Sequence, residues 1–143
     1  MVTIRCLYLP FVKVKDYLTP SYKKSQNGVK GIVTSISFCG HANYLSNGLD
    51  MACGSISTVA IGYSKAIATN KKLRSHITAK KAGELKVELL TIDINQLAWL
   101  IGLQSGLFLS LEAVKKEYPK SCKIIWSAHD FSGFYLDNGK VNL

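Results

Sequence analysis

An imidazole and a thiol, His41 and Cys53, stand one loop apart in this chain. Gly40 and His41 close an apolar run. A polar loop through Ala42, Asn43, Tyr44 and Gly48 follows, and Asp50 opens a helix-like run with Cys53 in its first turn and Ser57 one turn later. A cysteine attacks a carbonyl only as thiolate. With Asp50 as N-cap, the orphan amides and positive dipole end of the helix favour thiolate at Cys53. An imidazole at His41 could take the thiol proton and return it to a leaving amine. The same amides could donate to an oxyanion. Ser57 shares the Cys53 face of the helix, and Gly40 and Gly48 let the loop turn sharply and approach a substrate backbone. Thiol-based acyl transfer is the chemistry this pattern suits.

Each residue also has a plainer reading. Cys53 fits a buried small hydrophobe, His41 a strand-end surface residue, Asp50 a simple N-cap, and Ser57 alone carries little information. The conjunction within one strand–loop–helix strengthens the chemical reading, but spacing alone leaves the plainer one ahead.

The surrounding elements must position that loop. Residues 2–9 alternate as a strand that Pro10 ends or bends, with a brief resumption at Val12 and Val14. Residues 10–30 form a long connection punctuated by Pro20 and Asn27-Gly28. Residues 31–39 form a second strand, with Ile32, Thr34, Ile36 and Phe38 facing the core and Val33, Ser35, Ser37 and Cys39 facing away. A helix covers 50–67, its apolar side carried by Met51, Ile56, Val59, Ala60, Tyr63 and Ile67. Residues 74–80 and 84–92 form an antiparallel hairpin turned at Lys81-Ala82-Gly83. A second helix covers 94–117, opened by Asp93 and Gln96 in a capping-box spacing. Its inward stripe runs through Leu97, Leu100, Ile101, Gln104, Leu107, Phe108, Leu111 and Val114. Trp99, Leu103 and Leu109 lie on other sides, so the helix must be covered on most faces, which predicts a symmetric dimer. Residues 122–127 read as a last strand, and the 126–143 extension shows no clear period. The expected fold is α+β, one domain over 1–143: a two-layer sandwich of a mostly antiparallel sheet with two helices on one face, β-β-α-β-β-α and a further C-terminal strand.

Composition narrows the class. With 143 residues, 48% hydrophobic and 19% charged, the chain has the makings of a core and is not largely disordered. The net charge of +9 suits an anionic partner such as RNA, a ribosomal surface or an acidic membrane, or serves solubility alone; the lysines are scattered. The first apolar run, broken by Arg5 and Pro10, is no signal peptide. The apolar run 97–111 holds Gln104 and Ser105 and falls short of the roughly 20 residues a membrane span needs. Cytoplasmic residence with reduced thiols and no membrane association is therefore expected. Cys6, Cys39, Cys53 and Cys122 lack metal-ligand spacing, so neither a metal nor a cofactor is expected.

Gly40-His41-Ala42, five residues, Gly48, one residue, Asp50, two residues, Cys53, three residues, Ser57 resembles the signature of the ribosomal-processing cysteine protease family Prp at every fixed position. The similarity continues through Leu103–Ile124, which looks like that family's closing helix, tyrosine-proline and short strand. The resemblance implies an α+β homodimer. It implies a peptidase that trims the N-terminal extension of a large-subunit ribosomal protein, the one numbered twenty-seven. It implies Cys53 as nucleophile, His41 as base, Asp50 and Ser57 in support, and the loop from Gly40 to Gly48 as the wall of a substrate groove. Three features depart from the family pattern: Gly54 where alanine commonly follows the cysteine, the length of 10–30, and the 126–143 extension. Two rival readings stay open. One is a non-catalytic RNA- or ribosome-binding module, suggested by charge; the other is a thiol acyltransferase using the same dyad.

Overall fold

Period-two alternation builds the sheet, and a stripe at helical spacing builds the layer over it. The computed structural model describes residues 1–14, 16, 29–40, 51–80, 83–128 and 135–143, with the backbone alone at 51–53 and 135. In chain order the elements are β1 (Val2–Pro10), β2 (Gly31–Cys39), α1 (Met51–Thr69), β3 (Leu73–Thr78), β4 (Glu84–Asp93), α2 (Leu97–Glu117), β5 (Cys122–Ala128), β6 (Tyr135–Asp137) and β7 (Lys140–Asn142). The α+β order expected from the sequence is present, with two extra short strands in the C-terminal extension.

The strands form one sheet, β5-β1-β2-β4-β7-β6, with β3 also on β4. Every pairing is antiparallel except that of β1 with β5. β4 is the hub. β3 pairs along residues 86–92 of β4, β2 along 84–88 and β7 along 91–93. A strand has two edges, so β2 and β7 divide one edge between them and β3 takes the other.

Where β2 parts from β4, its main chain at Val33 needs another partner. Gln104 of α2 supplies one. The Val33 N–H donates to Gln104 Oε1 at 2.8 Å, and Gln104 Nε2 donates to the Val33 carbonyl at 2.8 Å and to the Tyr63 hydroxyl at 3.1 Å. The side-chain amide thus continues the ladder by one rung. Gln104 is only 1% exposed, and its position on the inward stripe has a purpose that a purely apolar residue could not serve.

The covered face of the sheet contributes Val2, Ile4, Ile36, Val87 and Ile92, and the helices contribute Ile56, Tyr63, Ile67, Leu97, Leu100 and Leu111 among others. The predicted α2 stripe is buried from Leu97 to Leu111, with Val114 half-buried. Phe108 of α2 packs on Trp126 of β5, ring centroids 4.8 Å apart, and Tyr8 meets the same indole edge-on at 5.9 Å. By length and composition the span from Ile94 to Glu117 could cross a bilayer. Its inward stripe is buried in the protein's own core, though only 39% of the apolar window as a whole is buried.

Four local expectations are corrected. The strand does not resume after Pro10: a 3-10 turn covers Phe11–Lys13, burying Phe11 and Val14 three apart while Val12 is exposed. Val33 is buried rather than outward-facing, beside a register shift between Leu7 and Tyr8, where Thr34 Oγ1 donates to the Leu7 carbonyl at 3.3 Å. The capping box does not form. Asp93 Oδ1 accepts the Asn95 N–H at 2.9 Å, Gln96 Oε1 accepts from Asn70 Nδ2 at 2.9 Å, and a 3-10 turn over Ile94–Gln96 precedes the helix proper. Residues 135–142 form a hairpin, with Val141 fully buried against β4.

Candidate active site

The site is prepared by one end of the sheet. β2 ends at Cys39, β4 starts at Glu84, and the start of β1 lies alongside, with Thr3 opposite Cys39. Gly40 leaves this corner with φ of +105°, a conformation that L side chains rarely adopt. A Cβ there would sit 2.7 Å from the Met1 carbonyl oxygen. The Gly40 N–H donates to the Gly83 carbonyl at 2.9 Å, and Gly83 itself has φ of +80°. Two glycines in the left-handed region therefore lock the point at which the chain sets off toward His41. His41, Ala42, Asn43, Tyr44, Gly48 and Asp50 lie outside the described residues.

The other half of the site is the start of α1. Its helical backbone begins at Met51, which places the Cys53 main chain in the first turn, where the N–H groups have no intrahelical partner. The Cys53 side chain is outside the described atoms. Gly54 and Ser57 are exposed, and Thr58 Oγ1 donates back to the Gly54 carbonyl at 2.8 Å. A Cβ at Gly54 would meet nothing within 4 Å. The departure from alanine thus carries no packing requirement. Gly40 and Met51 bracket residues 41–50 in the chain, and Cys53 and Ser57 follow in α1.

Burial pushes the Cys6 thiol up to about 12, so it stays protonated at neutral pH. Cys122 is also buried. Cys39 is exposed at the site end of the sheet, where its thiol lies 3.8 Å from Glu84 Oε1. Around this pair opens a cleft of about 200 Å³ lined by Ser37, Cys39, Thr78, Lys80, Glu84 and Lys86. The sequence reading missed Glu84 as a neighbour of the site. The alternation of 84–92 was visible, but the register that sets Glu84 opposite Cys39 was not.

The family model described as Cysteine protease Prp matches residues 22–123. No curated protein sequence matches the chain significantly. Among solved structures, the chain is similar to a ribosomal processing protease Prp from S. aureus with a covalently linked product peptide. That structure has 20% identity and a TM-score of 0.63 over 89% of this chain and 100% of the other. The same S. aureus protease with a substrate peptide matches at 19% identity and a TM-score of 0.61, again over 89% and 100%. A protein from Streptococcus mutans matches at 16% identity and a TM-score of 0.62, over 90% and 96%. At these identities the likeness establishes the fold.

Proposed function

Because this chain belongs to the cysteine protease Prp family, we propose that it is the cytoplasmic endopeptidase that removes the N-terminal extension of a large-subunit ribosomal protein, the one numbered twenty-seven. A cysteine protease needs an activated thiol. The observation that carries the assignment to Cys53 is its main-chain position in the first turn of α1, across the loop from Gly40. In this reading His41 takes the Cys53 proton and the thiolate adds to the scissile carbonyl, giving a tetrahedral oxyanion held by first-turn amides. The C–N bond breaks, His41 returns the proton to the departing amine, and an acyl-enzyme remains. Water, deprotonated by His41, then releases the acid and restores the thiol. Asp50 caps the helix and Ser57 orients groups on the Cys53 face. The S. aureus structures, one with a substrate peptide and one with a covalently linked product peptide, support a peptide as the acyl donor.

The same reading has the enzyme working as a homodimer close to ribosomal RNA. Ile61, Trp99 and Leu109 are exposed on the helical layer, beside a groove of about 420 Å³ between the helices, lined by Gly62, Gly102 and Gly106. That apolar surface supports a second copy as its cover. Light scattering at micromolar concentration should return twice the chain mass, and a strict monomer would contradict this part.

The test of the activity is incubation with a peptide carrying an apolar, phenylalanine-containing N-terminal segment, read by mass spectrometry. Wild type should cleave it, and Cys53→Ala should lower the rate by about 10⁴-fold or more. Undiminished cleavage by Cys53→Ala would sink the assignment.

A further inference from the structure

At the end of the sheet remote from Gly40, the open face carries a cluster of positive charge. The register sets Arg74, Thr91 and Asn142 in one row across β3, β4 and β7, and Asp93 and Lys140 in the next row. The two rows are about 7 Å apart along β4. Leu73, Ile92 and Val141 alternate with them and point into the core, so these rows face away from the helices. Lys71 and Lys72 arrive from the end of α1, and the Lys72 carbonyl accepts the Asp93 N–H at 3.3 Å. Together they line a cleft of about 440 Å³.

Four exposed cations, Lys71, Lys72, Arg74 and Lys140, surround this cleft, and among the described residues none of the four is in an ion pair. Two carboxylates lie near. Asp93 already accepts the Asn95 N–H, and Asp137, opposite Lys140 on β6, sits at the outer margin. Like charges gathered around one depression repel, and a bound anion relieves that repulsion. Thr91 and Asn142 add neutral polar groups to the lining. A cleft that is cationic, shallow and built on a rigid sheet suits a chain of regularly spaced anions better than a single small one.

We propose that this face binds the phosphate backbone of single-stranded RNA, with Arg74 and Lys140 contacting phosphates of one strand and Lys71 and Lys72 at its flank. The choice of RNA rests on the ribosomal setting proposed above; the surface itself does not. It lies at the opposite end of α1 from Cys53, roughly 27 Å away for a helix of 19 residues. RNA held there leaves the peptide site open.

The test is fluorescence anisotropy of a labelled, unstructured RNA oligonucleotide with the full chain, titrated at several salt concentrations. Lys72→Gln/Arg74→Gln/Lys140→Gln should bind on the order of a hundredfold more weakly at 0.1 M salt, with the salt slope reduced by about 2. Lys115→Gln/Lys116→Gln/Lys120→Gln removes the same charge from the end of α2 and should change affinity less than about threefold if the patch, and not net charge, is responsible. Thermal melts establish that both variants fold; if the first does not, Lys72→Gln/Lys140→Gln takes its place, with a smaller loss expected. No RNA binding by wild type, or equal losses in both charge variants, would overturn the proposal. Poly-glutamate competing as well as unlabelled RNA would also overturn it, in favour of an acidic protein. Cleavage of the free peptide should be the same in wild type and in all these variants, so failure of RNA binding and failure of the peptidase reading are separately visible.

Discussion

The two ends of the sheet are held in place by different means. At the end next to Gly40, main chain meets main chain: Gly40 on Gly83, a Gly40 conformation that a side chain could not enter, and the Val2 N–H on the Ser121 carbonyl at 2.8 Å. Toward the far end, side chains and an added hairpin do the joining. Gln104 completes the ladder at Val33, Asn70 reaches Gln96, and β7 takes the edge of β4 that β2 has left. Among the described residues the Gly40 corner is joined mainly through main chain, with the Cys39 thiol on Glu84 as its side-chain contact. The far end has main-chain bonds too, Asp93 on Lys72 and Ile94 on Gly139, and adds these side-chain bonds to them.

The sharpest way to break this contrast is Gln104→Leu. It strips a partner from the Val33 N–H, the Val33 carbonyl and the Tyr63 hydroxyl inside the core. At about 1–3 kcal/mol for each buried group left unsatisfied, and with some relaxation, unfolding in urea should show a loss of about 4 kcal/mol. Peptide cleavage by the folded fraction should be largely kept, and a specific collapse of kcat without loss of stability would contradict the division between the two ends. Gly40→Ala attacks the other end. Its strained φ and its approach to the Met1 carbonyl should cost about 2 kcal/mol of stability. Because His41 is the next residue, cleavage per folded molecule should fall as well; an unchanged rate would mean that this corner does not aim the loop.

Next in size is a pH effect from β1, which spans both ends. The Cys6 thiol is raised by burial from 9.0 to about 12. Between those values the unfolded chain loses a proton that the folded chain keeps, so stability is fully present below 9 and falls as pH rises. The loss should be roughly 1 kcal/mol between pH 8 and pH 10. Tyr63, raised first by its own burial, steepens the fall beyond its ordinary value of 10.0. In Cys6→Ala, urea midpoints should be flatter over pH 8 to 10; an identical fall would assign the effect elsewhere. The smallest expected change is a gain. Gly54→Ala, with open space for the methyl group, should stabilise α1 by about 0.5 kcal/mol and leave cleavage unaltered.

What could be read from the sequence follows the same division. Leu97, Leu100, Ile101, Gln104, Leu107, Phe108 and Leu111 were legible as one buried face because a helix repeats its environment at a fixed spacing. Strands β1, β2 and β4 were legible from alternation, β3 as the other arm of a hairpin and β5 as a short strand-like run. The partners of Gln104 were not, since they depend on where β2 parts from β4, a tertiary matter that no local pattern encodes. β6 and β7 span three residues each, too few for a period to show. The opening of α2 was misread because the Asp93 carboxylate and the Gln96 amide found nearer partners than each other. Of the candidate site, the described residues give the positive φ of Gly40 and the helical backbone at Cys53, as the sequence led one to expect of a turn and a helix start, while the roles of these residues are proposals; His41, Asp50 and the loop between them fall outside the described residues.

The parallel pairing of β1 with β5 sets a condition on synthesis. Val2 lies opposite Cys122 and Tyr8 opposite Ala128, so the first strand made gains its second neighbour among the last elements made. Contacts this distant in sequence form late and tie folding to a nearly finished chain. The corner at Gly40 shares that dependence through the Val2 bond to Ser121. On the ribosome, the growing polypeptide would carry the residues of a protease well before it carried a finished sheet to hold them. A chain cut short before β5 would leave one edge of β1 unpaired beside the Gly40 corner.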